Sequence, residues 1–385
     1  MASVVRRSSL PACIAVVAVL LCVLRLTAFA PTSLKLRRGL AVALRAKADK
    51  ATAVNKAETS SVARFRLKAE TSSGALFRLK AETSSGGLFR LKAETTGSYS
   101  ASRGFRLQAE GHLKISGTRF INPDGSVFAW RGITAFRLVE FVAHGREADA
   151  DAYLAWAASK KLNLVRVLVM ADVLFKLSPA DGQRALPRLL ELAQTRGLHV
   201  EVVALADTAS IEVDARQHVK VVGAICARYP NALLEIANEP VHPTQARALH
   251  GSAYVKSLAA LVPAGVPVSL GSVENGDGFA GGAYVTWHAP RSGAGGWPAQ
   301  IARGTALLKR FRKPVVNDEP MGAADKAVPA RRDDDPARFR QAAAATRRAG
   351  LGATFHYEGG LQARMPTAIE TACLDAWLGG LSEVR

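Results

Sequence analysis

A chain of 385 residues with 49% hydrophobic and 22% charged content holds one large domain or two ordinary ones, and is neither disordered throughout nor collagen-like. Four cysteines cannot staple a chain of that length into a disulfide framework. The net charge of +19 first suggests a nucleic acid or an acidic surface as partner. Residues 1–110, however, carry 19 Lys and Arg against 6 Asp and Glu, and so hold +13 of it.

That basic stretch reads as an address and a linker. Arg6 and Arg7 precede an apolar run from Cys13 to Leu24, with Thr27, Ala28 and Ala30 beyond it. A basic start, an apolar centre and a small-residue exit are the parts of a signal peptide, which places entry to the secretory pathway in residues 1–30. The run is shorter than the about 20 apolar residues a permanent span needs, so no stable membrane association is expected once the leader is removed; a retained anchor is the competing reading. The segment after it, rich in Ala, Lys, Arg and Ser, is transit-peptide-like. Ala28-Phe29-Ala30-Pro31 resembles the junction of bipartite plastid leaders in algae with complex plastids. The expected destination is therefore either outside the cell or the plastid.

Within residues 31–110 lies a tandem repeat. Phe65-Arg66-Leu67-Lys68-Ala69-Glu70 recurs from Phe77 and Phe89 at a period of 12, with a decayed copy from Phe105. Each unit offers one Phe and at most two Leu, too little burial to offset the entropy of ordering it. A disordered linker is expected, with a short binding motif borne by the repeats as the alternative.

From residue 111 to 385 the texture is that of a folded domain. Leu113 to Trp130 alternates apolar and polar residues around Asn122-Pro123-Asp124-Gly125, which predicts a β-hairpin. Eight β-branched runs follow, at 127–133, 164–169, 198–205, 232–237, 267–270, 284–287, 314–317 and 353–357. Helical patterns lie between most of them, at 149–161, 182–196, 214–229, 244–261, 299–311 and 336–349. Eight strands alternating with helices in one domain predict an α/β fold of the (β/α)8 TIM-barrel kind. A doubly wound open sheet competes, but no Gly-rich phosphate loop follows the first strand.

Barrel chemistry gathers at the C-terminal ends of the strands. Standing there are Arg166, Asp207, Asn238-Glu239-Pro240, Glu274, His288, Asp318-Glu319-Pro320 and His356-Tyr357-Glu358. Two carboxylates across one mouth suit glycosidic cleavage, which needs one carboxyl protonated to assist the leaving oxygen and one ionised to serve as nucleophile or base. Asp318 and Glu319 are neighbours on a strand and should point to opposite sides, so only one should face the mouth; Glu319 is favoured.

Leu233-Leu234-Glu235-Ile236-Ala237-Asn238-Glu239-Pro240 resembles the fourth-strand Asn-Glu-Pro signature of the clan A glycoside hydrolases, the family 5 cellulases and mannanases among them. Lys313-Pro314-Val315-Val316-Asn317-Asp318-Glu319-Pro320 is similar to the seventh-strand segment that ends in the nucleophile. Phe120 to Gly125, followed by Trp130-Arg131-Gly132-Ile133, resembles the opening hairpin and first strand. The resemblance covers roughly residues 112–380 and implies a retaining hydrolase of a β-linked glucan- or mannan-type saccharide. It would make Glu239 the acid/base, Glu319 the nucleophile and Asn238 the partner of the sugar 2-hydroxyl. Arg166 would keep Glu319 ionised, and His288 would stand beside the acid/base and the substrate. Two departures stand out: Pro290 replaces the Tyr usual two residues past that His, and His356-Tyr357 occupies the place of the usual Trp platform.

Competing readings attach to these residues. Arg166 also fits an ordinary ion pair inside the barrel, and His288 a satisfied structural histidine. Trp287, Trp297, Phe279 and Tyr357 could stack on sugar faces or pack in the core. Cys226 and Cys373 allow at most one disulfide in the mature domain, and no His/Cys cluster with metal-ligand spacing is present. Lys309 to Lys313 and Arg331-Arg332 read as solvated faces rather than a nucleic-acid patch. The expectation is a monomeric, cofactor-free glycosidase acting on carbohydrate, without nucleic acid; the alternative is a catalytically inactive glycan-binding barrel.

Overall fold

The computed structural model describes residues 65–70, 76–83, 89–95, 111–274, 276–288, 296–320, 322–323 and 332–383, in two units spanning residues 1–104 and 105–385. In the first unit the repeats form a three-stranded antiparallel sheet of Phe65–Glu70, Leu76–Thr83 and Phe89–Thr95. Its register sets Arg66 across from Lys80 and Lys68 across from Arg78. The signal-like run and the leader junction lie outside the described residues.

In the second unit the eight predicted runs become eight parallel strands. They are β1 (Gly132–Thr134), β2 (Leu164–Leu168), β3 (His199–Leu205), β4 (Ala232–Ala237), β5 (Val268–Ser269), β6 (Val285–His288), β7 (Val315–Glu319) and β8 (Gly352–Phe355). The ladder runs β5-β4-β3-β2-β1-β8-β7-β6. Across the remaining gap Ala283 N donates to Val268 O at 2.6 Å and Val273 N to Thr286 O at 3.1 Å. The hydroxyls of Ser269 and Thr286 meet there at 2.7 Å. These few bonds close the (β/α)8 barrel.

Besides a single helical turn at Asp172–Phe175, eight longer helices are described around the strands: α1 (Leu138–Ala143), α2 (Glu147–Ser159), α3 (Pro179–Thr195), α4 (Ala215–Cys226), α5 (Ser252–Ala259), α6 (Gly296–Phe311), α7 (Pro336–Arg348) and α8 (Ala368–Ser382). Several start on a side-chain cap. Ser178 accepts from Asp181 N ahead of Pro179, Asp335 accepts from Ala337 N ahead of Pro336, and Thr367 with Glu370 forms a capping box. The predicted helix at 244–261 is shorter: a 3-10 turn, Arg247–His250, precedes α5, with extended Gly251 between them. A second 3-10 turn, Asp277–Gly281, stands where a helix would follow β5. On α3, Gly182 lies so close to the end of β2 that a Cβ would overlap the carbonyl of Val169.

The predicted hairpin has one more turn than its sequence suggests. Lys114–Ser116 pairs with Arg119–Ile121 around Gly117, whose φ of +56° suits glycine. The Asn122–Gly125 turn then forms as expected, with Gly125 N donating to Asn122 O at 2.9 Å and Phe128 N to Phe120 O. This meander caps the N-terminal end of the barrel. Phe120, Phe128 and Trp130 pack with Leu113, Leu164, Leu233, Tyr284 and Val316 in one buried cluster. Phe120 lies 5.2 Å from Trp130 and 5.3 Å from Tyr284, ring centre to ring centre.

Among the described residues no helix is long and apolar enough to cross a membrane. Cys226 and Cys373 are buried free thiols, and burial pushes the Cys226 thiol up to about 12.

Candidate active site

Strand alternation sends every second side chain inward, and on β2 the inward position after Leu164 is Arg166. Its side chain is wholly buried. Nη2 donates to Glu235 Oε2 and to Asn238 Oδ1, each at 2.8 Å, Nε donates to Glu235 Oε2 at 3.2 Å, and Nη1 donates to Glu319 Oε1 at 3.0 Å. Glu201 and Asp318 lie 3.8 and 3.9 Å from Nε. One guanidinium therefore faces four carboxyl groups drawn from β3, β4 and β7.

A dry interior cannot keep all four ionised against one cation. Burial opposes the charge of Arg166, but Glu235, Asp318 and Glu201 outweigh it and raise its pKa. Burial and then Glu235 push Glu201 up to about 8, although Arg166 and the Tyr284 hydroxyl at 2.9 Å act against the rise. Asp318 is held well above its ordinary value by burial first and by Glu201 and Glu235 next.

Above this layer stand the residues marked by the sequence. Glu239 follows β4 with a φ of +44°, and its side chain is 21% exposed. His288 ends β6, fully buried, with Nδ1 3.3 Å from Glu239 Oε1 and 3.7 Å from Glu319 Oε1. Its Nε2 lies 3.4 Å from Arg166 Nη2, and its backbone N donates to Ser272 Oγ at 2.9 Å. Gln245 Nε2 donates to the Asn238 carbonyl and fixes the turn that carries Glu239. Arg166, Asn238, Glu239, His288 and Glu319 thus converge from four different strands.

The expectation that only one of Asp318 and Glu319 could face inward is overturned. Trp287 pairs with Asn317, but the next residue, His288, pairs with Glu319, so Asp318 is the extra residue of a β-bulge. The bulge breaks the alternation, and both carboxyls reach Arg166.

Three other sequence candidates do not join the site. Trp287 is 2% exposed and packs with α6 residues and Leu351 on the outside of the strands. Trp297 donates from Nε1 to Asp333 at 3.3 Å and packs on Phe339 and Trp377. Tyr357 is fully buried; its hydroxyl donates to Arg364 O at 2.7 Å and meets the Tyr153 hydroxyl at 2.7 Å, so it offers no face to a sugar. His356 bonds Thr134 Oγ1 through Nδ1 at 3.0 Å. Pro290 lies outside the described residues.

The sequence reading missed Glu201 and Glu235. Their signal was available: each is a lone acid inside an apolar strand, and Glu235 lies two alternations before Glu239. Ligand atoms of Glu239, His288 and Glu319 lie within 4.8 Å of one another, as do those of Glu235, His288 and Asp318. These are sets that spacing along the chain does not bring into view.

No protein-family model matches the sequence, and no curated protein matches it. Solved structures match in fold. A β-glucanase from Saccharophagus degradans in complex with cellotetraose aligns with a TM-score of 0.52 at 12% identity, over 69% of this chain and 91% of that one. The endo-1,4-β-mannanase of Rhizomucor miehei aligns with a TM-score of 0.51 at 12% identity, over 71% of this chain and 100% of that one. A Bacteroides vulgatus structure aligns over 75% of this chain at 16% identity and a TM-score of 0.49; the chain spans 62% of its length. The likeness is one of fold, the (β/α)8 barrel that the sequence motifs led us to expect.

Proposed function

We propose that the barrel is a retaining glycoside hydrolase of β-linked oligo- or polysaccharides of the glucan or mannan type. The observation that carries this reading is the approach of Glu239 and Glu319, whose ligand atoms lie within 4.8 Å of each other. Retention needs carboxyl groups about 5–5.5 Å apart, whereas inversion needs about 6.5–9.5 Å to seat a water between them. Two proteins of the same fold bear on the substrate class, one described as a β-glucanase and one as an endo-1,4-β-mannanase.

In this reading Glu319, held by Arg166 Nη1 at 3.0 Å, is the ionised partner and attacks the anomeric carbon. Glu239 passes its proton to the departing glycosidic oxygen, then takes one from the water that releases the glycosyl ester. Asn238 accepts from Arg166 through Oδ1, which leaves its amide N–H groups to donate to a sugar hydroxyl in this reading. No cofactor enters these steps. We infer from the leader a secreted or plastid location, testable by fusing residues 1–64 to a fluorescent protein.

The inactive glycan-binding alternative is motivated by the departures at Pro290, outside the described residues, and at Tyr357, whose buried hydroxyl bonds Arg364 O and meets that of Tyr153. The deciding experiment is hydrolysis of a panel of β-glucans, β-mannans and aryl glycosides. Glu239→Gln should lower kcat/KM roughly 10²–10⁴-fold, the usual worth of a general acid. A 2-fluoro glycoside should leave a covalent adduct on Glu319, read by mass spectrometry. Binding of glycan with no hydrolysis anywhere in the panel would sink the reading.

A further inference from the structure

The same mouth has a donor geometry with a second use. Nδ1 of His288 stands 3.3 Å from Glu239 Oε1 and 3.7 Å from Glu319 Oε1. Nitrogen and oxygen ligands at 2.0–2.2 Å around a tetrahedral Zn²⁺ are separated by about 3.3–3.6 Å, so two edges of the tetrahedron are nearly in place. The third edge, between the carboxylates, lies within the 4.8 Å that bounds the whole set and closes with a small side-chain rotation.

The histidine is an independent pointer to a ligand. It is wholly buried, and its Nδ1 makes no hydrogen bond although it faces the gap between the two carboxylates. Behind the ring, Glu235 and Asp318 form a second set with it inside 4.8 Å. A carboxylate behind a coordinating imidazole receives its other N–H and orients it. Coordination through Nδ1 leaves the imidazole proton on Nε2, so Arg166 Nη2, which donates toward Nε2 at 3.4 Å, gives up that contact and the Nε2–H turns to Glu235 or Asp318. Any proton on Nδ1 moves to Nε2 or to solvent when the ion enters. The 21% exposure of Glu239 leaves an open side for a water as fourth ligand.

We propose that Glu239, His288 and Glu319 bind one divalent ion of the zinc class and that the bound ion closes the mouth to substrate. Binding stands on the geometry alone; closure rests on the glycosidase reading. Mg²⁺ is a poor match, since it demands a near-octahedral shell of oxygens and gives up its waters reluctantly.

The test is calorimetric titration of the untagged full chain with Zn²⁺, and with Mg²⁺ for comparison, in the native protein, Glu239→Gln and His288→Ala. One Zn²⁺ per chain should bind at a site that both variants weaken by at least the roughly 10–100-fold that loss of even an outer partner costs. Mg²⁺ should give no heat at that site. Glu239→Gln changes a partly exposed group without changing its shape, so it separates ligation from misfolding in His288→Ala. X-ray absorption of the zinc-loaded protein should report one imidazole among oxygen ligands. Equal Zn²⁺ affinity and stoichiometry in the native protein and Glu239→Gln would overturn the site. Zinc binding without hydrolysis of any glycoside would overturn the enzyme reading and leave the site standing. Hydrolysis that persists with the site saturated would overturn closure.

Discussion

Along β2, β4 and β7 the barrel interior changes character over two residues. Leu164, Leu233 and Val316 belong to the apolar plug with Phe120, Trp130 and Tyr284. The next inward positions are Arg166, Glu235 and Asp318, all with no exposed surface. The lower layer stabilises the fold by removing apolar area from water. The upper one costs desolvation that its pairings only partly offset, and it leaves both oxygens of Asp318 without a hydrogen-bond partner. The same strands thus carry a layer that holds the fold and a layer that the fold holds in place.

Substitutions in each layer should separate these roles. The largest effect is expected at Arg166. Arg166→Leu strands four carboxyls around an apolar side chain and should cost about 3–5 kcal/mol, seen in urea unfolding. A neutral result would mean that the upper layer is already uncharged. Next comes Phe120→Ala in the plug, with a loss of about 3 kcal/mol but an unchanged kcat/KM per folded molecule; a collapse of activity would show the layers to be coupled.

Glu201→Gln should act through pH. Burial and Glu235 raise the folded pKa of Glu201 to about 8 from an ordinary 4.5, so the folded state holds its proton more tightly than the unfolded chain does. The stability contributed is full below pH 4.5 and is lost as pH rises through about 8. The substitution should flatten that decline in melting curves taken between pH 5 and 8.5; an unchanged slope would remove Glu201 as its source. The smallest effect is expected from Trp287→Phe, which should cost under about 1.5 kcal/mol and leave hydrolysis untouched, because its ring faces the helices.

Much of the frame was legible in the sequence. Each of the eight strands falls on a predicted run. The inward direction of a given side chain was less so. β6 alternates Val285 and Trp287 with Thr286 and His288, but both faces of a barrel strand are buried, so burial does not say which set points in. The bulge at Asp318 arises from pairing with β6, which no local pattern of β7 announces. Tyr357 was misplaced for a related reason: its hydroxyl is claimed by Arg364 and Tyr153, partners seven and 204 positions away.

The backbone of Glu239 has a φ of +44°, a left-handed conformation that costs a residue with a Cβ roughly 1–2 kcal/mol. Glycine would relieve that strain at once and asparagine in part, and either would delete the carboxylate. Mutational drift therefore has a downhill route away from glutamate at this position. A chain with glycine there would gain stability and lose the carboxylate, so Glu239 stands at that turn at a cost the rest of the fold carries.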